Sequence, residues 1–595
     1  MFLRTTSSAF ALIGFAFPAL ADVTPAEVWQ NWVDYYKANG YTVTEGAREE
    51  AGETLSLKDV AVSFAAPDDQ GAVIFTLLEV TLTGTGDGKV RTTFAETSPF
   101  KIEFKDAEGD LITMNGSVVM KDAEIVSSGS AADMTHDTTA SELSGALTTI
   151  VVPDEGEKPF PLTVALTNVK SMQHMVDGDL IKVDADLSAD KMTFDGTFED
   201  NSGDMPGKIA FTGSIDAIKG SGQAAIPKGG DIANDINAGL KAGLAMGGTM
   251  SAGAGQFNFD YAGKDEAGTD QTAKGSGKFD GFDLTANMSA NGLSYQGGSD
   301  ASSFEMTASD LPFPFSYSVA NTTFDLQMPV MKSDTPAPFK FAYSLGGLTI
   351  ADGVWDLFDG AKVLPRDPAS LDIDVTGLAK VTMDLFDPAN MKAMEEAADA
   401  QTDTADAAAT DAPANVDAAP AETDAAATDT AAADTEAAAR EADAAAAEAD
   451  TAAADTDAAA AAAAAAGEAD MAAGDATAEE AAPEMSQPFE PTELTINKFA
   501  IDAVGAKVDV SGALTVPEGG TLDAPVGKLN ARLEGVNGLI DKAVQMGFVP
   551  EDQVAGIRMM LAMFTKAAPE GGDALVGEYE FKEGGQVFAN GQQVK

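Results

Sequence analysis

The chain has 595 residues, 95 of them acidic and 36 basic, a formal charge of −59, with two histidines and no cysteine. Without cysteine, disulfide scaffolds, thiolate metal centres and cysteine nucleophiles are excluded, and the shortage of clustered Lys and Arg excludes nucleic acid as a partner. A chain this long provides for about two to four domains and an ample core.

Residues 1–21 read as a secretory signal peptide. Arg4 supplies the positive start, Ala9 to Phe17 a short apolar run, and Ala19-Leu20-Ala21 the small-residue cleavage pattern. The run is shorter than the ~20 apolar residues a membrane span requires, and no later stretch reaches that length. The expected product starts at Asp22, has no transmembrane span after cleavage, and is placed in the periplasm.

Residues 22–390 are expected to form a helix followed by a large antiparallel β region. Thr24, Pro25 and Glu27 form a capping box with Pro at the first helical position. Val28, Trp29, Trp32, Val33 and Tyr36 recur at helical spacing, and Gly40 ends the stripe. This spacing predicts a helix docked on a sheet. From Tyr41 to Asp387 the pattern turns to period two. In Leu180 to Leu187, Ile181, Val183, Ala185 and Leu187 share one face opposite charged residues. Asp-Gly pairs at Asp87, Asp177, Asp195, Asp280, Asp352 and Asp359 are candidate turns. Ile232, Ile236, Leu240 and Leu244 recur every four residues and predict one helical interruption.

A short pattern recurs in this region: Pro99-Phe100-Lys101-Ile102, Pro159-Phe160-Pro161-Leu162, Pro312-Phe313-Pro314-Phe315 and Pro338-Phe339-Lys340-Phe341. Each proline is expected to open a strand, where a missing N–H does least harm. Phe100, Phe160, Phe313 and Phe339 then occupy equivalent places on a shared apolar face, and they are the candidate ligand-contacting residues. The irregular spacing excludes a strict solenoid; a duplicated β unit and convergent strand grammar both remain open.

Residues 391–487 form an alanine-rich acidic tract. Glu395 to Glu484 hold 24 acidic residues and one arginine, a net charge of −23. Such a composition cannot bury a core and marks an insertion or linker. Acidic pairs repeat every seven residues from Asp434, which predicts partial helicity over about 35–45 residues, up to about 65 Å. Residues 488–595 resume a compact β-α-α-β part that either forms a small domain or completes the same sheet. Strands are expected around Leu494 and Ile501 to Val516, helices around Val536–Val544 and Val554–Phe564, and a final hairpin turning at Gly584-Gly585.

Motifs for chemistry are absent. His136 and His174 are isolated, no Gly-x-Ser-x-Gly elbow occurs, and Gly84 to Lys89 lacks the spacing of a phosphate loop. Asp200 to Asp204 begins like a calcium loop, but Met205 replaces the required glycine. No cofactor is expected. Aromatic residues at 7% are too few for the two girdles of an outer-membrane barrel.

The helix Val28 to Tyr41 running into a β-meander, and the ending Gly572 to Val587 after paired helices, resemble an uncharacterised bacterial envelope family, domain of unknown function 2125. The C-terminal strand, helices and hairpin are also similar to AsmA-like proteins. That similarity implies a folded-over sheet enclosing an apolar groove and a role in lipid handling. The expected fold is therefore mainly β (α+β): a long antiparallel curved or folded-over sheet with capping helices, interrupted by the acidic tract. The leading functional expectation is a non-enzymatic envelope protein binding lipid or another apolar ligand on the apolar face of its sheet. The second is an interaction protein that meets an envelope partner through the acidic tract, and the third a carboxylate-based hydrolase.

Overall fold

The computed structural model describes residues 23–66, 71–106, 109–153, 156–200, 206–228, 235–394, 488–517 and 524–595. All belong to one of two structural units, Met1–Glu396 with Gln487–Lys595; the other unit lies outside the described residues, as do residues 1–21 and nearly all of the acidic tract.

Helix α1 (Pro25–Ala38) begins as its sequence dictates. The Thr24 hydroxyl accepts from Glu27 N, and the Glu27 carboxylate accepts from Thr24 N. The chain then forms β1 (Thr42–Thr44), β2 (Ala47–Ala51), β3 (Thr54–Ala65), β4 (Gly71–Gly84), β5 (Val90–Phe94), β6 (Thr97–Lys105), β7 (Leu111–Lys121) and β8 (Glu124–Ser130). Four long strands follow: β9 (Asp133–Val152), β10 (Gly156–Asp177), β11 (Leu180–Asp200) and β12 (Gly207–Pro227). After α2 (Ile236–Lys241) come β13 (Ala245–Ala252), β14 (Gly255–Lys264), β15 (Asp270–Phe279), β16 (Phe282–Ser289), β17 (Gly292–Ser299), β18 (Ser302–Ala308), β19 (Phe315–Val319), β20 (Asn321–Met328) and β21 (Ser333–Ile350). Helix α3 (Asp352–Phe358) and β22 (Ala369–Val381) precede the acidic tract. Beyond it lie β23 (Phe489–Ala503), β24 (Ala506–Thr515), β25 (Val526–Glu534), α4 (Val536–Gln545), α5 (Glu551–Phe564), β26 (Lys566–Ala567), β27 (Leu575–Lys582), β28 (Gln586–Ala589) and β29 (Gln592–Gln593).

The 29 strands among the described residues belong to one sheet, and they pair antiparallel. β22 pairs with β23 from Ser370↔Asp502 to Val381↔Phe489, so the chain re-enters the same sheet after the tract. Among the described residues the outer strands do not pair with each other, and no helix is long and apolar enough to cross a membrane.

A crease runs across the sheet. β5 and β6 lie end to end along β4, β8 and β7 along β9, β13 and β14 along β12, and β20 and β19 along β21. In strands that run straight through, the same line is marked by positive φ at Asp59 (50°), Asn168 (53°), Ala217 (54°) and Gly347 (67°). Left-handed backbone interrupts the two-residue alternation, so Leu166 and Val169, three apart, both join one apolar cluster. Bridging hydrogen bonds satisfy the interrupted ladder: Ala95 N donates to Glu79 O, Asp216 N to Ala254 O, and the Asn168 amide to Asp190 at 2.8 Å.

The register places apolar side chains on one face throughout. The row Met175, Val183, Ala224, Met246, Met288, Leu293, Met328 is one example, and Phe499, Val510, Ala531 another. Helix α1 seals the N-terminal end of this face. Val28, Trp29 and Val33 meet Leu55, Leu57, Val60, Val80, Leu82, Val90 and Met134, all at most 8% exposed. Farther along, Leu240 and Leu244 cap it together with Val330, Val381 and Leu385. The predicted helical interruption is thus only six residues long; Leu244 lies beyond it, and Ile232 is outside the described residues. Asp195-Gly196, predicted as a turn, lies inside β11, where Gly196 makes room for the Phe211 ring of β12.

Candidate functional site

Away from these caps the apolar face is uncovered. Val73, Val164, Leu187, Phe198, Met246, Met250, Phe257, Tyr317 and Ile501 lie on it and remain 37–45% exposed. Burying side chains of this size stabilises a fold by about 1.5–3 kcal/mol each, so a face that leaves this many of them part-exposed is a candidate binding surface.

The surface is paved by a recurring device. A phenylalanine on one strand lies over a glycine directly opposite on the next: Phe194 over Gly213, Phe211 over Gly196, Phe257 over Gly277, Phe259 over Gly275 and Phe279 over Gly255. The rings occupy the space a side chain would need. A Cβ added at Gly277 would sit 2.1 Å from Phe257 Cε1, and one at Gly275 2.2 Å from Phe259 Cε1. Phe304, also opposite Gly277, meets the same rings from the other side. It stacks on Phe257 and Phe259 at centroid distances of 6.1 and 6.4 Å and contacts Tyr317 at 5.8 Å. Flat rings over glycines make a smooth apolar floor rather than an interdigitated core.

The four phenylalanines singled out from sequence fare differently. Phe100 lies over Gly116 and Phe339 over Gly377, both within this pavement. Phe160 contacts Phe198 at 5.8 Å. Phe313 is not in the sheet: it precedes β19 and rests against Gly353 at the start of α3. All four are half-buried, and the fold spreads them along the sheet rather than gathering them. The prolines do not open strands as expected. Pro99, Pro159 and Pro338 lie within β6, β10 and β21, and the last two border register shifts where the ladder is already broken. The residues that carry the floor, notably Phe257, Phe259 and Phe304, escaped the proline-based pattern. Their signal is Phe-x-Phe in Phe257–Phe259 set against Gly-x-Gly in Gly275–Gly277.

Replacing Gly277 with valine is expected to lower stability by about 1–3 kcal/mol, because the Phe257 ring must leave its rotamer. The gain from removing a strand glycine, below about 1 kcal/mol, is smaller. Thermal unfolding of the variant checks this.

The two histidines lie apart from this floor. His136, 2% exposed, joins α1 to the sheet: its Nδ1 lies 2.8 Å from Ser127 Oγ, and its Nε2 accepts from the Trp32 indole N–H at 3.2 Å. Burial holds its pKa down to about 4. His174 Nε2 contacts Asp133 at 2.7 Å on the polar face. Among the described residues no group of three or more His, Asp or Glu side chains is placed to hold a metal ion.

No curated protein and no solved structure matches this chain. Residues 313–589 match a family model described as an uncharacterized protein conserved in bacteria, DUF2125. The matched span starts just before β19 and runs to the end of β28; α1 lies outside it. Over residues 313–589 the chain is therefore similar to the DUF2125 family of uncharacterised bacterial proteins.

Proposed function

We propose that this is an exported, periplasmic, non-enzymatic protein that holds lipid acyl chains on the phenylalanine-paved face of its sheet. The observation that carries this reading is the set of nine large apolar side chains left 37–45% exposed on one face of the sheet. Aliphatic chains suit this floor because it offers continuous apolar contact with few directional polar groups. Phe100, Phe160 and Phe339 contribute on this reading, with Phe257, Phe259 and Phe304 at its centre.

The test is lipid extraction and native mass spectrometry of the full chain isolated from a bacterial envelope. Wild-type protein is expected to carry bound lipid, and Phe304→Asp to lose most of it while keeping its β-rich circular dichroism. Absence of lipid from wild type, or equal lipid on the variant, overturns the reading.

A further inference from the structure

The polar face carries a groove of its own, opposite the acyl-chain surface. A depression of ≈ 610 Å³ spans β9 to β13. It shares Thr139, Lys170 and Ser188 with a second depression of ≈ 400 Å³ at the crease, and Asp186, Ser221 and Thr249 with a third of ≈ 310 Å³ toward β16. The three form one continuous polar track running across the strands.

Two register rows set its floor. The first is Thr139, Lys170, Ser188, Lys219 and Ser251, one residue from each of five adjacent strands. Neighbouring strands lie about 4.8 Å apart, so Lys170 and Lys219 flank Ser188 at a separation of about 10 Å. The second row is Asp137, Met172, Asp186, Ser221 and Thr249, with the last two hydroxyls 2.8 Å apart.

Neither Lys170 nor Lys219 is ion-paired among the described residues. Other lysines, Lys58, Lys121 and Lys182 among them, are likewise without an ion pair, so this pair is singled out by its place on either side of Ser188. On the same strands Lys191 holds Asp216 at 3.0 Å, Lys208 holds Glu199 at 3.7 Å, and Lys228 pairs with Asp177. Two free ammonium groups straddling a hydroxyl form a seat for one anionic group. The carboxylates of Asp137 and Asp186 beside it, with Asp122 and Asp190 toward the crease and Asp184 toward β16, accept hydrogen bonds from hydroxyl donors and repel closely spaced negative charge. Together these features select a ligand rich in hydroxyls with well-separated single charges, and they reject a compact polyanion.

We propose that this groove binds an acidic glycan, with a sugar carboxylate or phosphate seated between Lys170 and Lys219 over Ser188 and the hydroxyl rows meeting the flanking sugars. The test is calorimetric titration of the full chain with a galacturonic acid trimer, a neutral maltotriose and inorganic phosphate. The acidic trimer is expected to bind, and to bind more weakly as salt rises. Lys170→Gln with Lys219→Gln is expected to weaken it about tenfold or more, while Lys170→Arg retains binding. Maltotriose is expected to bind the wild type about tenfold more weakly than the acidic trimer. Both lysines are exposed, so unchanged thermal unfolding of the double variant separates a binding effect from a folding one.

No binding of the acidic trimer, or equal binding by the double variant, overturns the proposal. Phosphate binding as tight as the trimer's, and equally sensitive to the lysines, overturns the glycan assignment by showing a plain anion site. The acyl-chain reading is tested separately, by bound lipid on the other face.

Discussion

Between pH 6.5 and about 4, the imidazole of His136 is expected to remove about 3 kcal/mol of stability. In the unfolded chain this group takes up a proton near pH 6.5; in the folded protein it resists until about pH 4. Across that window the unfolded state binds the extra proton, so stability is complete above pH 6.5 and declines as the pH falls. The cause is burial between α1 and the sheet, which disfavours the charged ring. Trp29 and Trp32 both lie in α1 and report its docking by fluorescence. Urea unfolding of wild type and His136→Gln at pH 7 and pH 4 isolates the contribution. The variant is expected to be less stable at pH 7 and to lose about 3 kcal/mol less on acidification. Equal acid losses in the two proteins would refute the buried neutral imidazole.

The second large effect is expected at Leu57. This side chain is fully buried beneath α1 with Leu55, Val60, Val80 and Leu82. Leu57→Ala removes apolar contact and leaves a cavity between helix and sheet, at a cost of about 2–5 kcal/mol. Phe257→Ala removes a larger side chain, but from a surface that is already 37% exposed. Its cost is expected to be about 1 kcal/mol, in proportion to the smaller area withdrawn from water. Chemical denaturation of both variants measures the contrast. If Phe257→Ala costs as much as Leu57→Ala, the phenylalanine floor is sealed core and cannot receive acyl chains.

Local rules carried much of the fold. The Thr24–Glu27 capping box, the alternation in Ile181 to Leu187 and the Gly584-Gly585 turn depend on neighbours within a few residues, and all are formed. The crease was not legible, because its markers, Asp59, Asn168 and Ala217, are ordinary residues whose positive φ is imposed by adjacent strands. Asp195-Gly196 misled for the same reason: a turn-forming pair is overruled when its glycine must admit a ring from β12. The apolar face was visible as alternation, but the phenylalanine–glycine pairing depends on register between strands, which a single sequence specifies only indirectly. The proline pattern found Phe100, Phe160 and Phe339 on that face, and it included Phe313, which the chain places outside the sheet.

The strand order has a further consequence. Every pairing joins strands close in sequence, from β1 with β3 at one end to β28 with β29 at the other, and even across the crease no partner is more than three strands away. Such a sheet behaves as a one-dimensional array whose elements depend mainly on their neighbours. Deletion or duplication of a pair of hairpins in its middle would leave both terminal regions of the sheet intact and change the span of the face in increments of about 4.8 Å per strand. The molecule is built like an extensible ruler. Its working length is a quantity that descent can adjust by hairpin count, without redesigning the surface it carries.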